Sequence, residues 1–543
     1  MNPFARPAHA RALVALSLLA VMGALSPMTL ASQTLPVGAS EEEYLRLLQV
    51  AGLATAGSFN VRPFVTFEGI PDSVAHPWRA RLGIRGSSGA ASPRVTLDPV
   101  GVRLVANSGY PNGGNDGAIW AGKGLTGALD AGVTLEWKHL SATLHPVAWY
   151  AQNASFVLAP VARSGAPQYA YPWRIIDLPQ RFGPGRVTIV DPGQSTVRLT
   201  VGSVTAGFGT ENLWWGPGIH SSILMSDNAA GFPHGMLATS RPVDVKIAML
   251  EAQWIWGRLQ DSGWLDAVAT SRHGRFLTGA VVSLTFKRLE GLSLGMARVF
   301  TAMVPDAGLD RGEYLLIFQR TSKQSFQSTE NPEGSDKRDQ MVSFFARWVI
   351  PGGGFEAYGE WARNDHGVHL RDYLLEPEHA QAYTLGFQKT LSLTGERILV
   401  LGGELTHLER APTFQVRDEP IFYAHHLVLP GYTQRGQVIG SALGPGGNGQ
   451  HLSVDVYSSW GRAGAFLLRQ VHDNDAYWVD ALREGKGNCC HDVTAGGGGR
   501  VTAFVHDLEL SGSGTLTREL NRYFDHRNDV WNVNLALSAT WRP

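Results

Sequence analysis

The length, composition and charge of the chain exclude several classes of partner before any motif is considered. Its 543 residues carry a formal net charge of −1, which offers no basic excess to a nucleic acid or to an anionic lipid surface. The 63 glycines, 29 prolines and 10% aromatic residues are typical of a turn-rich all-β chain, and no collagen-like Gly-x-y period occurs.

The amino terminus has the pattern of a cleaved signal peptide, predicted at residues 1–31. Arg6 and Arg11 precede an apolar stretch at residues 12–25, and small residues up to Ala31 suit a signal peptidase. No later segment reaches the roughly 18 consecutive apolar residues of a membrane-spanning helix. Export without such an anchor leaves the periplasm, secretion or the outer membrane.

A short helix is predicted near residues 41–56, within a periplasmic segment at residues 32–94. Ser40 and Glu43 have the spacing of a capping box. The apolar side chains that share one helical face are Tyr44, Leu47, Leu48 and Ala51. Such a helix can pack against or plug the lower mouth of a barrel, or it can be an amphipathic lead-in.

Residues 95–543 alternate apolar and polar side chains with the period of β-strands. Two hairpins are predicted, one from Val282 to Ala297 and one from Val342 to Trp361. Longer polar or Gly-rich loops are predicted at residues 326–339, 366–379, 410–420 and 472–499. Short turns that alternate with long loops are typical of outer-membrane barrels. At roughly 25 residues per strand and connection, this region predicts about 18 strands.

The last strand gives the clearest membrane signal. The residues on its apolar face are Trp531, Val533, Leu535, Leu537, Ala539 and Trp541, and those on its polar face include Asn532, Asn534, Ser538 and Thr540. An aromatic residue at each end of the apolar face matches a tilted strand that crosses a bilayer. We therefore predict an all-β, antiparallel barrel in the cell outer membrane, in contact with outer-membrane lipid and lipopolysaccharide.

The two cysteines are adjacent, Cys489 and Cys490, and lie in a run of turn-forming residues. A vicinal disulfide is possible, and the following His491 and Asp492 also allow a metal site. We favour an exposed loop without a chemical role, in which an oxidising compartment leaves the pair bridged or modified. The sequence predicts no metal and no cofactor.

One block resembles the signature of the capsule assembly protein Wzi family. It reads Asn212-Leu213-Trp214-Trp215-Gly216-Pro217-Gly218, followed by Ser221 to Ala229 and by Phe232-Pro233. Stretches similar to that family are also found at Ile176 to Gly183, Phe355 to Trp361 and Gly431 to Gly440. The resemblance implies an 18-stranded outer-membrane barrel with a helical periplasmic segment. It also implies a surface lectin that holds capsular polysaccharide on the cell.

Two departures from the family limit what the resemblance implies. The helical bundle expected at the amino end is represented by a single clear helix, and the region from Asn107 to Leu125 is divergent. The fold therefore transfers more safely than the ligand.

Trp214 and Trp215 are the first candidate sugar contacts, since aromatic rings pair with the apolar face of a pyranose. The alternative is a structural role. Paired tryptophans at a strand end often pack or lie in the interface belt, and Gly216-Pro217-Gly218 would then fix the turn beneath them.

The strand from Phe355 to Trp361 predicts a row of polar side chains in the barrel interior. This row comprises Glu356, Tyr358 and Glu360, which Glu404 and Thr406 could join, with Arg435, Arg347, Arg298 or Lys246 as countercharges. We favour an ion-pair network that fills the lumen. Contact with a ligand or ion is the second interpretation. Hydrolysis of a glycosidic bond is the third, because it requires only two carboxyl groups about 5 to 9 Å apart.

Three functions remain open. We favour a non-enzymatic lectin or assembly factor for capsular or other surface polysaccharide, whose ligand contacts lie mostly in the long loops between Phe326 and Gly499. A channel would require an open lumen. An outer-membrane enzyme that modifies glycan or lipid is the third function, although His220-Ser221-Ser222 lacks the elbow of a serine nucleophile.

Overall fold

The computed structural model describes residues 35–54, 57–63, 78, 92–265, 274–319, 338–364, 370–484 and 490–542. The predicted signal peptide lies outside these residues. The α-helices described are α1 (Ser40–Val50), α2 (Leu370–Leu375) and α3 (Asn474–Glu484), and short 3-10 turns occur at Glu313–Phe318, Pro412–Gln415 and Arg522–Phe524. None of the described helices combines the length and the apolarity that crossing a membrane requires.

β-strand is the main secondary structure of the described chain. In the first half the strands are β1 (Val61–Arg62), β2 (Arg94–Leu97), β3 (Val100–Asn107), β4 (Gly124–Asp130), β5 (Val133–Trp137), β6 (Leu140–Leu144), β7 (Val147–Ala151), β8 (Val187–Asp191), β9 (Thr196–Val201), β10 (Val204–Gly209), β11 (Trp214–Trp215), β12 (His234–Thr239), β13 (Val243–Asp244) and β14 (Ala248–Leu259). In the second half they are β15 (Arg275–Phe286), β16 (Leu292–Met303), β17 (Arg338–Ile350), β18 (Phe355–Asn364), β19 (Gln381–Ser392), β20 (Ile398–His407), β21 (Thr433–Gln434), β22 (Gln437–Val438), β23 (Asn448–Ser458), β24 (Gly461–Val471), β25 (Val493–Val505), β26 (Leu508–Leu520) and β27 (Val530–Trp541).

These strands form an antiparallel barrel, so the prediction of an all-β antiparallel fold is confirmed. The barrel closes where β27 pairs with β3. Several strands are interrupted: β4 pairs with β7 while β5 pairs with β6, and on the far side β7 pairs with β8 while β6 pairs with β9. The short strands β1 with β11 and β21 with β22 form two separate sheets apart from the barrel wall.

Side chains alternate across the wall as the sequence predicts. In β27, Trp531 is 57% exposed and Leu537 is 61% exposed, whereas Asn532 between them is fully buried. The same apolar exposure recurs around the barrel at Leu104, Leu129, Leu199, Phe344, Leu385, Leu405, Leu452, Leu467 and Leu516. The outer surface is therefore apolar and the polar side chains are turned inward, which reverses the arrangement of a soluble protein.

Both predicted hairpins are present, as β15 with β16 and β17 with β18. The predicted irregular loop at residues 472–499 is wrong in two places. Its first part contains α3, and its four glycines from Gly496 to Gly499 belong to β25. A side chain at Gly498 would sit 2.8 Å from the ring of Phe466, so these glycines permit a close approach of neighbouring strands.

Helix α1 lies inside the barrel and is shorter than the predicted helix at residues 41–56. It ends at Val50 because Gly52 adopts a left-handed φ of +73°, the usual way to stop a helix. The predicted capping box does not form: Ala39 is the N-cap, and the Ser40 hydroxyl donates to Glu509 on the wall. Ser40 therefore contacts the barrel wall instead of capping the helix.

The apolar face of α1 packs against the inner surface of the wall. Tyr44 is fully buried, and its ring stacks on Trp78 at 5.3 Å. Trp78 in turn contacts Tyr457 at 5.1 Å between ring centroids. Leu45, Leu47, Leu48, Ile398 and Val400 complete this cluster. One end of the lumen is thus occupied by a packed helix.

A second apolar cluster fills the middle of the lumen. It is formed by the inward connections after β10 and after β20, which contribute Trp215, Ile223, Leu224, Met225, Phe422, Tyr423, Tyr432 and Ile439. These side chains pack on the inner faces of β14 to β18, through residues such as Ile255, Leu277 and Val299. The core of this protein therefore lies inside the barrel, built from connections rather than from strands alone.

Candidate functional site

The interior acids of β18 all accept hydrogen bonds, and Glu356 also has two countercharges. Glu356 is fully buried between two arginines: Arg46 Nε lies 2.8 Å from its Oε1, and Arg347 Nε lies 2.7 Å from its Oε2. Two guanidinium groups balance the charge of this carboxylate, and Glu356 is not among the described residues that line the cavity presented below. Of the predicted countercharges, Arg347 is found here, and Arg46 of α1 is an addition that the sequence did not reveal.

The other predicted countercharges lie elsewhere. Arg435 pairs with Asp191 and keeps one third of its side chain exposed. Arg298 donates to Gln340 at 3.0 Å. Lys246 is exposed in the turn between β13 and β14. A sequence places residues on the inner face but does not give their height or angle in a barrel, so these pairings could not be read from it.

Tyr358 and Glu404 form the second contact of the predicted row. The Tyr358 hydroxyl donates to Glu404 Oε2 at 2.8 Å. The same carboxylate accepts the backbone N–H of Ile219 at 2.7 Å and of His220 at 3.1 Å. Glu404 therefore holds the inner connection that follows β11, and it also lies at the edge of a cavity described below.

Glu360 lies two residues after Tyr358 on the same face of β18 and is 2% exposed. Its Oε2 accepts the backbone N–H of Ile223 at 3.2 Å. A Cβ at Gly216 would approach this carboxylate to 3.1 Å, and Gly216 has a φ of +113° that favours glycine. The row on β18 thus supports the inner connection, with Glu360 held against its tight turn.

Trp214 and Trp215 are buried inside this inner connection, 2% and 0% exposed, and neither lies at the membrane interface belt. Trp215 Nε1 donates to Gln253 at 2.7 Å. The Arg62 guanidinium lies 4.6 Å over the Trp214 ring, where β1 pairs with β11. Among the described residues, neither ring borders the cavity. Their buried positions agree with the structural interpretation, in which the two tryptophans pack inside the protein.

A cavity of about 640 Å³ lies at the end of the barrel opposite α1. Strand β26 connects the two ends: Glu509 at its start contacts Ser40 of α1, and Glu519 at its end lines the cavity. The longer connections after β7, β20, β24 and β26 reach the same end. The cavity thus opens among the long loops.

Aromatic side chains dominate one wall of the cavity. They are Tyr110, Phe156, Tyr171, Trp173, Tyr523 and Phe524. Trp173 and Phe524 have ring centroids 4.8 Å apart, and the Arg522 guanidinium lies 4.3 Å over the ring of Tyr110. These residues were not predicted from the sequence. The long connection between β7 and β8, which carries an aromatic run ending at Trp173, was the available signal.

The floor of the cavity is polar. The rings of His220 and His451 lie 3.9 Å apart, and burial lowers the pKa of His220 to about 4, so it is neutral at physiological pH. The Ser221 hydroxyl donates to Ser441 at 2.6 Å, and the Ser222 hydroxyl donates to the Trp215 carbonyl. The two hydroxyls are engaged in folding contacts, so His220 does not activate them.

Cys490 is disulfide-bonded and lies outside the cavity lining, with its Sγ 3.6 Å from His526 Nδ1. Cys489 lies outside the described residues.

Known structures resemble this fold across nearly its whole length. Wzi of Escherichia coli, described as an outer membrane protein of group 1 capsule assembly and a carbohydrate-binding β-barrel, matches with a TM-score of 0.59 and 13% identity, over 94% of this chain and 99% of its own. OpdL of Pseudomonas aeruginosa gives a TM-score of 0.41 at 9% identity, over 83% of this chain and 99% of its own. OccAB2 of Acinetobacter baumannii gives 0.40 at 11% identity, over 82% and 98%.

No curated protein matches the sequence. The family description "Capsule assembly protein Wzi" matches residues 129–488, which is more than half of the chain and includes the signature block around Trp214. This match covers the signature block from which the resemblance was inferred, and the chain belongs to the capsule assembly protein Wzi family.

Proposed function

We propose that this protein is a non-enzymatic lectin of the outer membrane, which attaches or organises capsular or other surface polysaccharide at the cell surface. The observation that carries the proposal is the cavity among the long loops, where an aromatic wall faces a polar floor. The family assignment and the carbohydrate binding of the E. coli relative support it.

The outward apolar side chains support placement in a bilayer. We also propose eighteen membrane crossings, on a count that takes each interrupted pair, such as β4 with β5, as one crossing. We further propose a cleaved signal peptide at residues 1–31, a periplasmic segment at residues 32–94, and contact of the outer face with lipid and lipopolysaccharide.

The chemistry of the cavity suits a sugar. Its volume of about 640 Å³ falls in the usual range of about 300–1,000 Å³ for small-ligand sites. A half-buried ring such as Trp173 can stack on the apolar face of a pyranose, and Glu404 on the floor can accept a hydroxyl hydrogen bond. Among the residues proposed from sequence, Glu404 is thus the direct ligand contact.

The remaining residues proposed from sequence act behind the cavity. Glu356, Tyr358 and Glu360 hold α1 and the inner connection in place, and Trp214 and Trp215 pack within that connection. Arg435 forms a separate ion pair with Asp191.

A channel is the alternative function. An open lumen would favour it, but α1 occupies one end of the lumen and the apolar cluster around Tyr432 occupies the middle. An enzyme that modifies glycan or lipid is less favoured, because hydrolysis of a glycosidic bond needs two carboxyl groups and, of the acids in the row, Glu404 lines the cavity whereas Glu356 and Glu360 do not.

Deletion of the gene tests the proposal, with polysaccharide assayed separately in the cell pellet and in the medium. The lectin predicts a transfer of glycan from pellet to medium without a fall in the total. Unchanged retention in the pellet would contradict it and would favour conductance measurements for the channel.

A binding experiment tests the cavity itself. Trp173→Ala should weaken binding of the purified surface polysaccharide about tenfold, because stacking on an aromatic ring contributes about 0.5–1.5 kcal/mol beyond its buried area. Trp460→Ala is the matched control, since Trp460 is half exposed in the turn at the α1 end. Equal losses in both variants would contradict the assignment of the cavity.

A further inference from the structure

Three side chains on the cavity wall have the composition of a metal site. His472, Asp492 and Glu519 each offer one ligand atom, and these atoms lie within 4.8 Å of one another. They come from three adjacent parts of the wall: the end of β24, the start of β25 and the end of β26. Neither the family assignment nor the lectin proposal accounts for this cluster.

The partners of Asp492 leave one of its oxygens unused. Its Oδ2 accepts the backbone N–H of Tyr523 at 2.8 Å, but its Oδ1 is buried and has no hydrogen-bond partner among the described residues. Asp492 is only 4% exposed. An unsatisfied carboxylate oxygen at this depth is costly unless a cation or a water binds it.

The other two residues are held in place by neighbours. His472 Nε2 lies 2.8 Å from the Thr494 hydroxyl, which orients the imidazole ring. Glu519 Oε2 accepts from Arg522 at 2.9 Å, and Glu519 is 5% exposed. The Arg522 guanidinium balances the charge of one of the two carboxylates, Asp492 and Glu519. A bound cation would balance the other.

We propose that His472, Asp492 and Glu519 bind a divalent cation of the Zn²⁺ or Mn²⁺ class, with coordination positions open toward the cavity. One imidazole nitrogen with two carboxylate oxygens is a donor set that such ions accept, whereas Ca²⁺ and Mg²⁺ prefer oxygen alone. All three residues line the cavity, so a sugar hydroxyl or carboxylate can occupy an open position. This second step rests on the proposed lectin function, but the cation site itself does not.

Zn²⁺ binding to the full-length protein in detergent tests the site, by calorimetry with Zn²⁺ as the probe. The wild type should bind Zn²⁺ at least tenfold more tightly than Asp492→Asn or His472→Gln. His139→Gln is the matched control, because His139 is exposed in the turn between β5 and β6 and is not among the residues that line the cavity. Folding of each variant is checked by its resistance to unfolding in cold SDS. Folded Asp492→Asn and His472→Gln proteins that bind Zn²⁺ like the wild type would overturn the proposal.

Glycan binding with and without a chelator then separates the two proposals. Binding that weakens in EDTA and returns with Zn²⁺ supports an open position occupied by the sugar. Binding that is indifferent to EDTA overturns that step. Zn²⁺ binding without glycan binding under either condition leaves the cation site in place and contradicts the lectin function.

Discussion

The two ends of the lumen use charge in opposite ways. At the α1 end, charged side chains lie in close pairs: Glu356 with Arg46 and Arg347, and Glu43 with Arg462. The Glu43 side chain is 45% exposed, and the neighbouring Arg462 and Arg500 guanidinium groups hold its pKa below the usual value. At the loop end, Asp492 and Glu519 face a cavity with Arg522 as their nearby cation.

This difference separates a structural network from a binding site. A buried carboxylate whose charge is balanced by two arginines attracts no further cation, whereas a carboxylate that faces a cavity with an unused oxygen can bind one. The row on β18 was a candidate binding site in the sequence because it was the most regular pattern of interior acids. Regular spacing predicted the inward direction of these side chains correctly, but it did not distinguish the two uses of charge.

The largest effect is expected from a test of the orientation of the two ends. A protease site inserted at Val416, which is 90% exposed among the long loops, should be cut in intact cells. A site inserted at Gly395, in the short turn between β19 and β20, should be cut only after permeabilisation. Immunoblots for the two fragments measure both. Cleavage at Gly395 in intact cells would mean that the α1 end, and not the loop end, faces the outside of the cell.

The second test breaks the ion pairs at the α1 end. Glu356→Gln leaves the charges of Arg46 and Arg347 buried and unmatched, and should cost about 3–5 kcal/mol of the free energy of unfolding. Urea unfolding in detergent micelles measures this loss. Asp244→Asn, which removes an exposed ion pair with Lys287, is the control and should change nothing measurable. Equal stability of the two variants would show that the network contributes no stability.

The third test sharpens the assignment of the cavity floor. Glu404→Gln preserves the shape of the side chain but removes a charged acceptor, and should weaken glycan binding by roughly 10- to 150-fold because a charged hydrogen bond is worth about 1.5–3 kcal/mol. Glu251→Gln is the control, since Glu251 is equally buried on β14 but does not line the cavity. Calorimetric titration with purified polysaccharide measures both. A loss confined to Glu251→Gln would contradict the assignment.

The smallest effect is expected on the stability of the protein when Asp227 is changed. Asp227 lies near α1 but does not form one of the close ion pairs described above. Burial, reinforced by Asp116 and Glu42, raises the pKa of Asp227 to about 8. The stability contributed by its protonation is complete below about pH 4 and is lost as the pH rises through 8. Asp227→Asn should therefore gain stability over the wild type as the pH increases from 6 to 9. Thermal unfolding across this range measures the difference, and a constant difference would contradict the assigned pKa.

Local patterns in the sequence predicted much of the fold. The alternation in β27 gave the direction of each side chain, and Gly352 to Gly354 marked the turn between β17 and β18. The errors arose where one element depended on another. Ser40 was predicted to cap α1 but donates to Glu509 instead. Gly496 to Gly499 were predicted as a loop, because the sequence does not reveal their pairing with β24 and β26.

By itself the sequence determined the strand periodicity, the inward face of β18 and membership of the Wzi family, because each depends on residues close together in the chain. Only the tertiary structure decided which charges are matched and where a cavity remains. Arg46 meets Glu356 across 310 positions of sequence, and His472, Asp492 and Glu519 meet through strand pairing. Closure of the barrel fixes such distances, and no local pattern encodes them.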